Sequence, residues 1–200
     1  MMPHQLNWQE ICQMIPKRKA DAQKGDFGRL LCITGSRNMP GACLLSTQAA
    51  LRGGAGLVTV ATAPENPMRL AAAAPEAMWL PLETDEAGFL RSSDQNRKTL
   101  EKQLSRANAV LLGCGLGVTE ETRRLVHWVL EQAVCPVVLD ADGLNCAVSC
   151  IELSRRTGKD WILTPHPGEM ARLTGHSIPQ IQENRVETAT QFAAAYPVTL

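Results

Sequence analysis

The sequence predicts an α/β domain organised around a largely parallel sheet, and three observations carry that expectation. Short, nearly unbroken apolar runs recur along the 200 residues, stretches with helical spacing separate them, and several runs end in glycine- or aspartate-rich turns. Strands buried on both faces read as continuous Val/Ile/Leu runs, and strands alternating with helices read as βαβ units.

Taken in order, residues 1–24 are polar and mixed, a leader with one short amphipathic helix near 7–14. Strands are expected at 29–33, 57–61, 78–80, 109–112, 137–139 and 161–163, where β-rich apolar residues cluster. Helical spacing occupies 42–52, 65–73, 94–107, 119–133, 143–147, 168–173 and 180–195. The polar stretch 83–98 is the expected surface loop. Pro197-Val198-Thr199-Leu200 resembles the opening of a further strand. It reads as the start of a longer domain, making this a truncated chain, or as a short edge strand.

Composition narrows the function classes. Twenty basic and twenty acidic side chains give a formal net charge of +0, which argues against a nucleic-acid or membrane-surface partner. Lys17-Arg18-Lys19 is a short solvated run. Seven cysteines without a CxxC pair fit buried free thiols in a cytoplasmic protein better than disulfides or a zinc site. No signal-peptide pattern and no membrane-length apolar run is visible. His4 and His127 receive no role, and His176 reads as a surface residue.

Ligands of doubly wound sheets bind beyond the carboxyl ends of strands, so three strand ends matter most. After the first strand, Thr34-Gly35-Ser36-Arg37-Asn38-Met39-Pro40-Gly41-Ala42 enters a helix. It offers free N–H groups to an anion, or forms a polar turn. That first loop is not a Walker A loop, since no Gly-Lys-Ser/Thr follows; after the fourth strand, Gly113-Cys114-Gly115-Leu116-Gly117 has GxGxG spacing, not the dinucleotide fingerprint GxGxxG. After the fifth, Asp140-Ala141-Asp142-Gly143 places two carboxylates at i and i+2. They could orient a substrate hydroxyl or water-mediated Mg2+, or Asp142 could N-cap the next helix while Asp140 closes a turn. Cys114 is the one nucleophile candidate and lacks an evident base.

The last strand end is Thr164-Pro165-His166-Pro167-Gly168-Glu169. Proline fixes φ and restricts the residue before it, so His166 is held extended. It either faces a ligand or caps the following helix.

In their order, these segments resemble the ADP/ATP-dependent NAD(P)H-hydrate dehydratase family, which has a ribokinase-like fold. The matching blocks are Lys24-Gly25-Asp26-Phe27-Gly28-Arg29, Gly35-Ser36 with Gly41-Ala42, residues 49–58, residues 113–117, residues 139–145 and residues 164–169. The resemblance implies a three-layer αβα domain over 25–200 with its C-terminal part missing. It implies repair of NAD(P)H hydrate: a nucleotide, ADP or ATP with Mg2+, phosphorylates the ring hydroxyl and phosphate then leaves. By carry-over, Ala42, Gly117 and His166 contact the hydrated nicotinamide nucleotide, with Gly41, Gly115 and Asp142 as neighbours. The family's Lys-Gly-Ala-Gly-Thr loop and its Gly-x-Gly-Asp turn, which supplies the catalytic Asp, are expected beyond Leu200, so activity is expected to be impaired. Cys114 stands where the family commonly has Pro, and the family's epimerase partner domain is not expected here. A homo-oligomer fits such folds. A small-molecule kinase of the same fold and a non-catalytic nucleotide-binding module remain alternatives.

Overall fold

Among the described residues seven strands form one sheet in the order β3-β2-β1-β4-β5-β6-β7, every neighbouring pair parallel. They are β1 (Arg29–Ile33), β2 (Leu57–Thr62), β3 (Met78–Pro81), β4 (Ala109–Leu112), β5 (Val137–Leu139), β6 (Trp161–Leu163) and β7 (Val198–Thr199). The computed structural model describes residues 5–15, 17–157 and 160–200; His4 lies outside them. Four strands have the expected bounds, while β2 and β3 each run one residue longer, to the paired Thr62 and Pro81. Pro81 is tolerated because β3 is an edge strand, where a missing N–H interrupts no ladder.

The helices are α1 (Trp8–Met14), α2 (Pro40–Arg52), α3 (Asn66–Leu70), α4 (Asp94–Leu104), α5 (Glu120–Gln132), α6 (Asp142–Ala147), α7 (Leu153–Thr157), α8 (Pro167–Thr174), α9 (Ile178–Glu183) and α10 (Arg185–Ala195). Helix α1 forms with an Asn7–Glu10 capping box, yet it buries none of its residues and Trp8 is 73% exposed. The single helix expected at 180–195 is two, broken where Asn184 leaves helical geometry at φ −133°, ψ 46°. Helix α7 had no clear signal in the sequence.

The expected loop at 83–98 needs correction. Thr84 and Leu90 form an antiparallel bridge, Leu90 is fully buried, and residues 94–98 already belong to α4. Buried Asn96 holds the connection: its Oδ1 accepts from Glu83 N–H at 2.8 Å, and its amide donates to the carbonyls of Glu83 and Arg91.

Helices α2 and α3 cover one sheet face over β1–β3, where Cys32, Val58 and Val60 pack with Cys43 and Leu70. On the other face Ile33, Leu112, Leu139 and Leu163 pack beneath α4 and α5 in the larger core. The first face opens toward β6. Along the row Cys32–Leu111–Val138–Ile162, burial falls from complete at Cys32 to 37% exposure at Ile162. The chain runs outward from β1 through β2 and β3, then crosses back to β4 and continues the other way. That reversal makes the crevice between β1 and β4 the topological switch point, where open α/β sheets bind ligands.

Candidate active site

The reversal brings the loops leaving β1 and β4 side by side. Gly35 N–H donates to the Cys114 carbonyl at 2.8 Å, and Ser36 N–H to the Gly115 carbonyl at 2.7 Å. Two glycines of the second loop are needed for packing at positive φ. At Gly115 (φ 69°) a Cβ would lie 2.7 Å from Ala42 Cβ, and at Gly117 (φ 77°) it would enter the Phe89 ring. Gly117 is held at both polar groups: its N–H donates to Asp142 Oδ2 at 2.8 Å, and its carbonyl accepts from Thr122 Oγ1 at 2.9 Å.

Asp142 therefore does not cap its own helix, one of the two readings its position allowed. The N-cap of α6 is Ala141, with φ 49° and ψ −119°, the one non-glycine residue with positive φ among the described residues. Such a conformation costs on the order of 1–3 kcal/mol and persists where the surroundings dictate it. Here Gly143 N–H closes on the Asp140 carbonyl at 2.9 Å, and Asp140 N–H donates to the Leu112 carbonyl.

Asp140 is the hub of the site. Its Oδ1 accepts from Thr164 Oγ1 at 2.8 Å and its Oδ2 from the Cys114 thiol at 3.3 Å. Burial, then the Asp140 carboxylate, pushes the Cys114 thiol up to about 12. Cys114 is thus a protonated donor and not a nucleophile, since thiolate is the reactive form. Burial likewise raises the thiol of Cys43, and that of Cys32 to about 12. Cys114, Asp140 and Thr164 line an open groove of about 850 Å3, together with Met39, Ala42, Gly115 and Asp142, and Leu111 and Val138 form its apolar floor. Helix α2 starts at the groove with no side-chain cap on its first N–H groups.

Of the six residues the resemblance singled out, Ala42, Gly115 and Asp142 line this groove, whereas Gly41, Gly117 and His166 stand outside its wall. His166 is extended (φ −73°, ψ 167°) as its proline frame required, and it caps α8. Its Nδ1 accepts the N–H groups of Gly168 at 3.0 Å and Glu169 at 3.4 Å. The proton of the neutral ring therefore sits on Nε2, 3.1 Å from Oε1 of buried Glu169. The contacts joining Asp140 to Thr164 and Cys114 were missed in the sequence, because the partners are 24 and 26 residues apart.

With this geometry in place, a profile of the family described as NAD(P)H-hydrate dehydratase (carbohydrate-kinase type) matches residues 30–200. The chain belongs to the NAD(P)H-hydrate dehydratase family. Its relatives include the bifunctional NAD(P)H-hydrate repair enzyme Nnr of Coxiella burnetii, 38% identical over 96% of this chain and 36% of that protein. The ADP-dependent (S)-NAD(P)H-hydrate dehydratase of Bacillus subtilis is 35% identical over 90% of this chain and 59% of its own length. Among solved structures, a ribokinase-like protein from Enterococcus faecalis superposes with a TM-score of 0.77 at 25% identity, over 96% of this chain and 62% of that one. The ADP/ATP-dependent NAD(P)H-hydrate dehydratase of Bacillus subtilis, co-crystallised with ATP/Mg2+, gives 0.73 at 30% identity, over 95% and 62%. The chain thus spans about a third of its bifunctional relatives and about three fifths of the solved ones. The family's ribokinase-like, three-layer α/β fold is the fold described above.

Among the described residues no three His, Cys, Asp or Glu side chains are grouped to hold a metal ion, and no helix is long and apolar enough to cross a membrane. The described residues therefore do not form a protein cage for Mg2+.

Proposed function

We propose that this chain supplies the substrate-binding part of an ADP/ATP-dependent NAD(P)H-hydrate dehydratase, which returns hydrated NADH or NADPH to the working cofactor. The observation that carries the reading is the groove at the β1/β4 switch point, in a chain that belongs to this family. Its apolar floor, Leu111 and Val138, suits the flat face of a nicotinamide-type ring. The uncapped first turn of α2, at Gly41 and Ala42, offers N–H donors and a positive dipole end to the nucleotide's phosphates. Asp142 sets the position of the 113–117 loop against that groove, and Asp140, oriented by Thr164 and Cys114, is placed to accept from a substrate hydroxyl.

The chemistry then needs a phosphoryl group moved from ADP or ATP to the ring hydroxyl, followed by loss of phosphate with a ring proton to restore the double bond. Electrostatic positioning contributes most to such steps. This chain's share is to bind and orient the hydrate. Divalent metal ions of this kind commonly ride on nucleotide phosphates. His166 stands outside the groove wall with its Nε2 on Glu169, so its ring nitrogen would orient the substrate only on releasing Glu169.

Calorimetric titration of the 200-residue chain with NADH hydrate tests the reading, beside an assay for phosphate release and recovered NADH absorbance with ADP or ATP and Mg2+. Saturable binding of the hydrate that Asp142→Ala weakens supports it. Failure to bind the hydrate overturns it. Binding of the hydrate without turnover is the outcome expected of a substrate-binding part, binding of NADH itself as tight as that of its hydrate and independent of Mg2+ supports the alternative of a non-catalytic nucleotide-binding module, and phosphoryl transfer to a different small alcohol supports the kinase.

A further inference from the structure

At the opposite end of the sheet from the groove, where the strands begin, a second cavity of about 300 Å3 lies between edge strand β3 and the end of α4. Its walls include Leu31, Met78 and Leu80, and its polar groups are Arg29, Thr59, Gln103 and Arg106, with no carboxylate among them. Several arginines elsewhere are engaged: Arg37 with Glu65, Arg97 with Ser92, Arg123 with the Asn145 carbonyl, Arg155 with Glu152. Neither Arg29 nor Arg106 has a side-chain partner among the described residues. A cation just past a helix C-terminus is favoured there by the helix dipole, which accounts for Arg106 alone. Arg29 opens a strand and has no such reason.

Thr59 adds an independent sign. It sits mid-sheet on β2, between Leu31 and Met78 in register, on a face otherwise packed with aliphatic side chains. Its hydroxyl has no hydrogen-bond partner among the described residues and is not sealed from solvent, since it opens onto the cavity. A dry cavity of about 150 Å3 accommodates benzene, so this one has room for a ring-sized apolar body and an anionic group.

We propose that this cavity binds a small organic anion, a carboxylate or phosphate carried on an apolar body of about that size. Arg29 and Arg106 hold the anion, and Thr59 and Gln103 complete its hydrogen bonds. Charge-assisted bonds from two guanidiniums are the strong kind, and the site is separate from the candidate active site.

The test is an amide-resolved NMR titration of the 200-residue chain at low ionic strength with phenyl phosphate, benzoate, benzyl alcohol and inorganic phosphate. Phenyl phosphate or benzoate should shift the amides of Thr59, Met78 and Gln103 saturably, and benzyl alcohol should not. A stronger response to phenyl phosphate identifies a phosphate ligand; a stronger response to benzoate identifies a carboxylate. Arg29→Gln and Arg106→Gln, both surface changes compatible with folding, should each weaken the response by about tenfold. Three results would overturn the proposal: no saturable shift, shifts that survive the double Arg→Gln variant, or shifts confined to Gly115 and Asp142. Inorganic phosphate matching phenyl phosphate would overturn the part assigned to the apolar body.

Discussion

Asp142 accepts the backbone N–H of Gly117 at 2.8 Å, and this one bond joins the loop after β4 to the first residue of α6. The two segments form neighbouring walls of the groove only because β4 and β5 are adjacent in the sheet. A hydrogen bond to a charged acceptor contributes more than a neutral one, on the order of 1.5–3 kcal/mol, less where solvent reaches it.

Replacing Asp142 should separate stability from charge. Asp142→Ala is expected to lower unfolding free energy by about 1–2 kcal/mol, because Gly117 N–H loses its acceptor. Asp142→Asn, whose amide oxygen can still accept, should recover most of that loss. Urea midpoints at constant m-value measure both. Equal destabilisation by the two variants would show that the charge, and not the acceptor, supports the loop.

His166 holds two N–H groups at the start of α8 while its Nε2 meets buried Glu169. Loss of an N-cap costs about 0.5–2 kcal/mol. His166→Ala should therefore lower stability, and His166→Asn, a good capping residue, should restore it. If affinity for NADH hydrate remains low in the stable Asn variant, the imidazole acts on the ligand. If affinity returns with stability, His166 serves only as a cap.

The buried thiols make an alkaline prediction whose sign follows from their shifts. Cys32 and Cys114 are both raised to about 12, by burial first, from an ordinary thiol value near 8.5. The unfolded chain loses these protons at lower pH than the folded one. Their contribution to stability is complete below about pH 8.5 and is lost as pH climbs toward about 12. The melting temperature should fall across that window, and less steeply in Cys114→Ala. Identical slopes in variant and parent would contradict the assignment. Exposed Cys12 should be alkylated at pH 8 well before Cys114.

The open row Leu111–Val138–Ile162 predicts binding of a hydrophobic dye. Apolar sheet surface of this kind is normally covered in a parallel sheet. Ile162→Lys should reduce anilinonaphthalene sulfonate fluorescence while shifting stability by no more than about 0.5 kcal/mol, because Ile162 is already 37% exposed. Unchanged fluorescence would place the dye elsewhere.

Strand positions were legible because each apolar run is bounded by Gly, Asp or Pro, and period and punctuation are local properties. Residues 29–33, 109–112, 137–139 and 161–163 needed nothing more. Helix ends were less legible. The break at Asn184 and the anchoring of residues 83–96 by Asn96 depend on side-chain hydrogen bonds that spacing does not encode. The site divides along the same line. The sequence by itself determined the three glycine- and aspartate-bearing strand ends, the extended His166, and the family resemblance those segments carry. Only the tertiary structure decided that Asp142 clamps Gly117, that Asp140 joins Thr164 to Cys114, and that His166 turns back onto Glu169. The contacts of Asp142 and Asp140 arise from the lateral order of parallel strands, which brings together residues about 25 apart through crossovers that leave no periodic trace in the chain, whereas His166 and Glu169 meet locally across the first turn of α8.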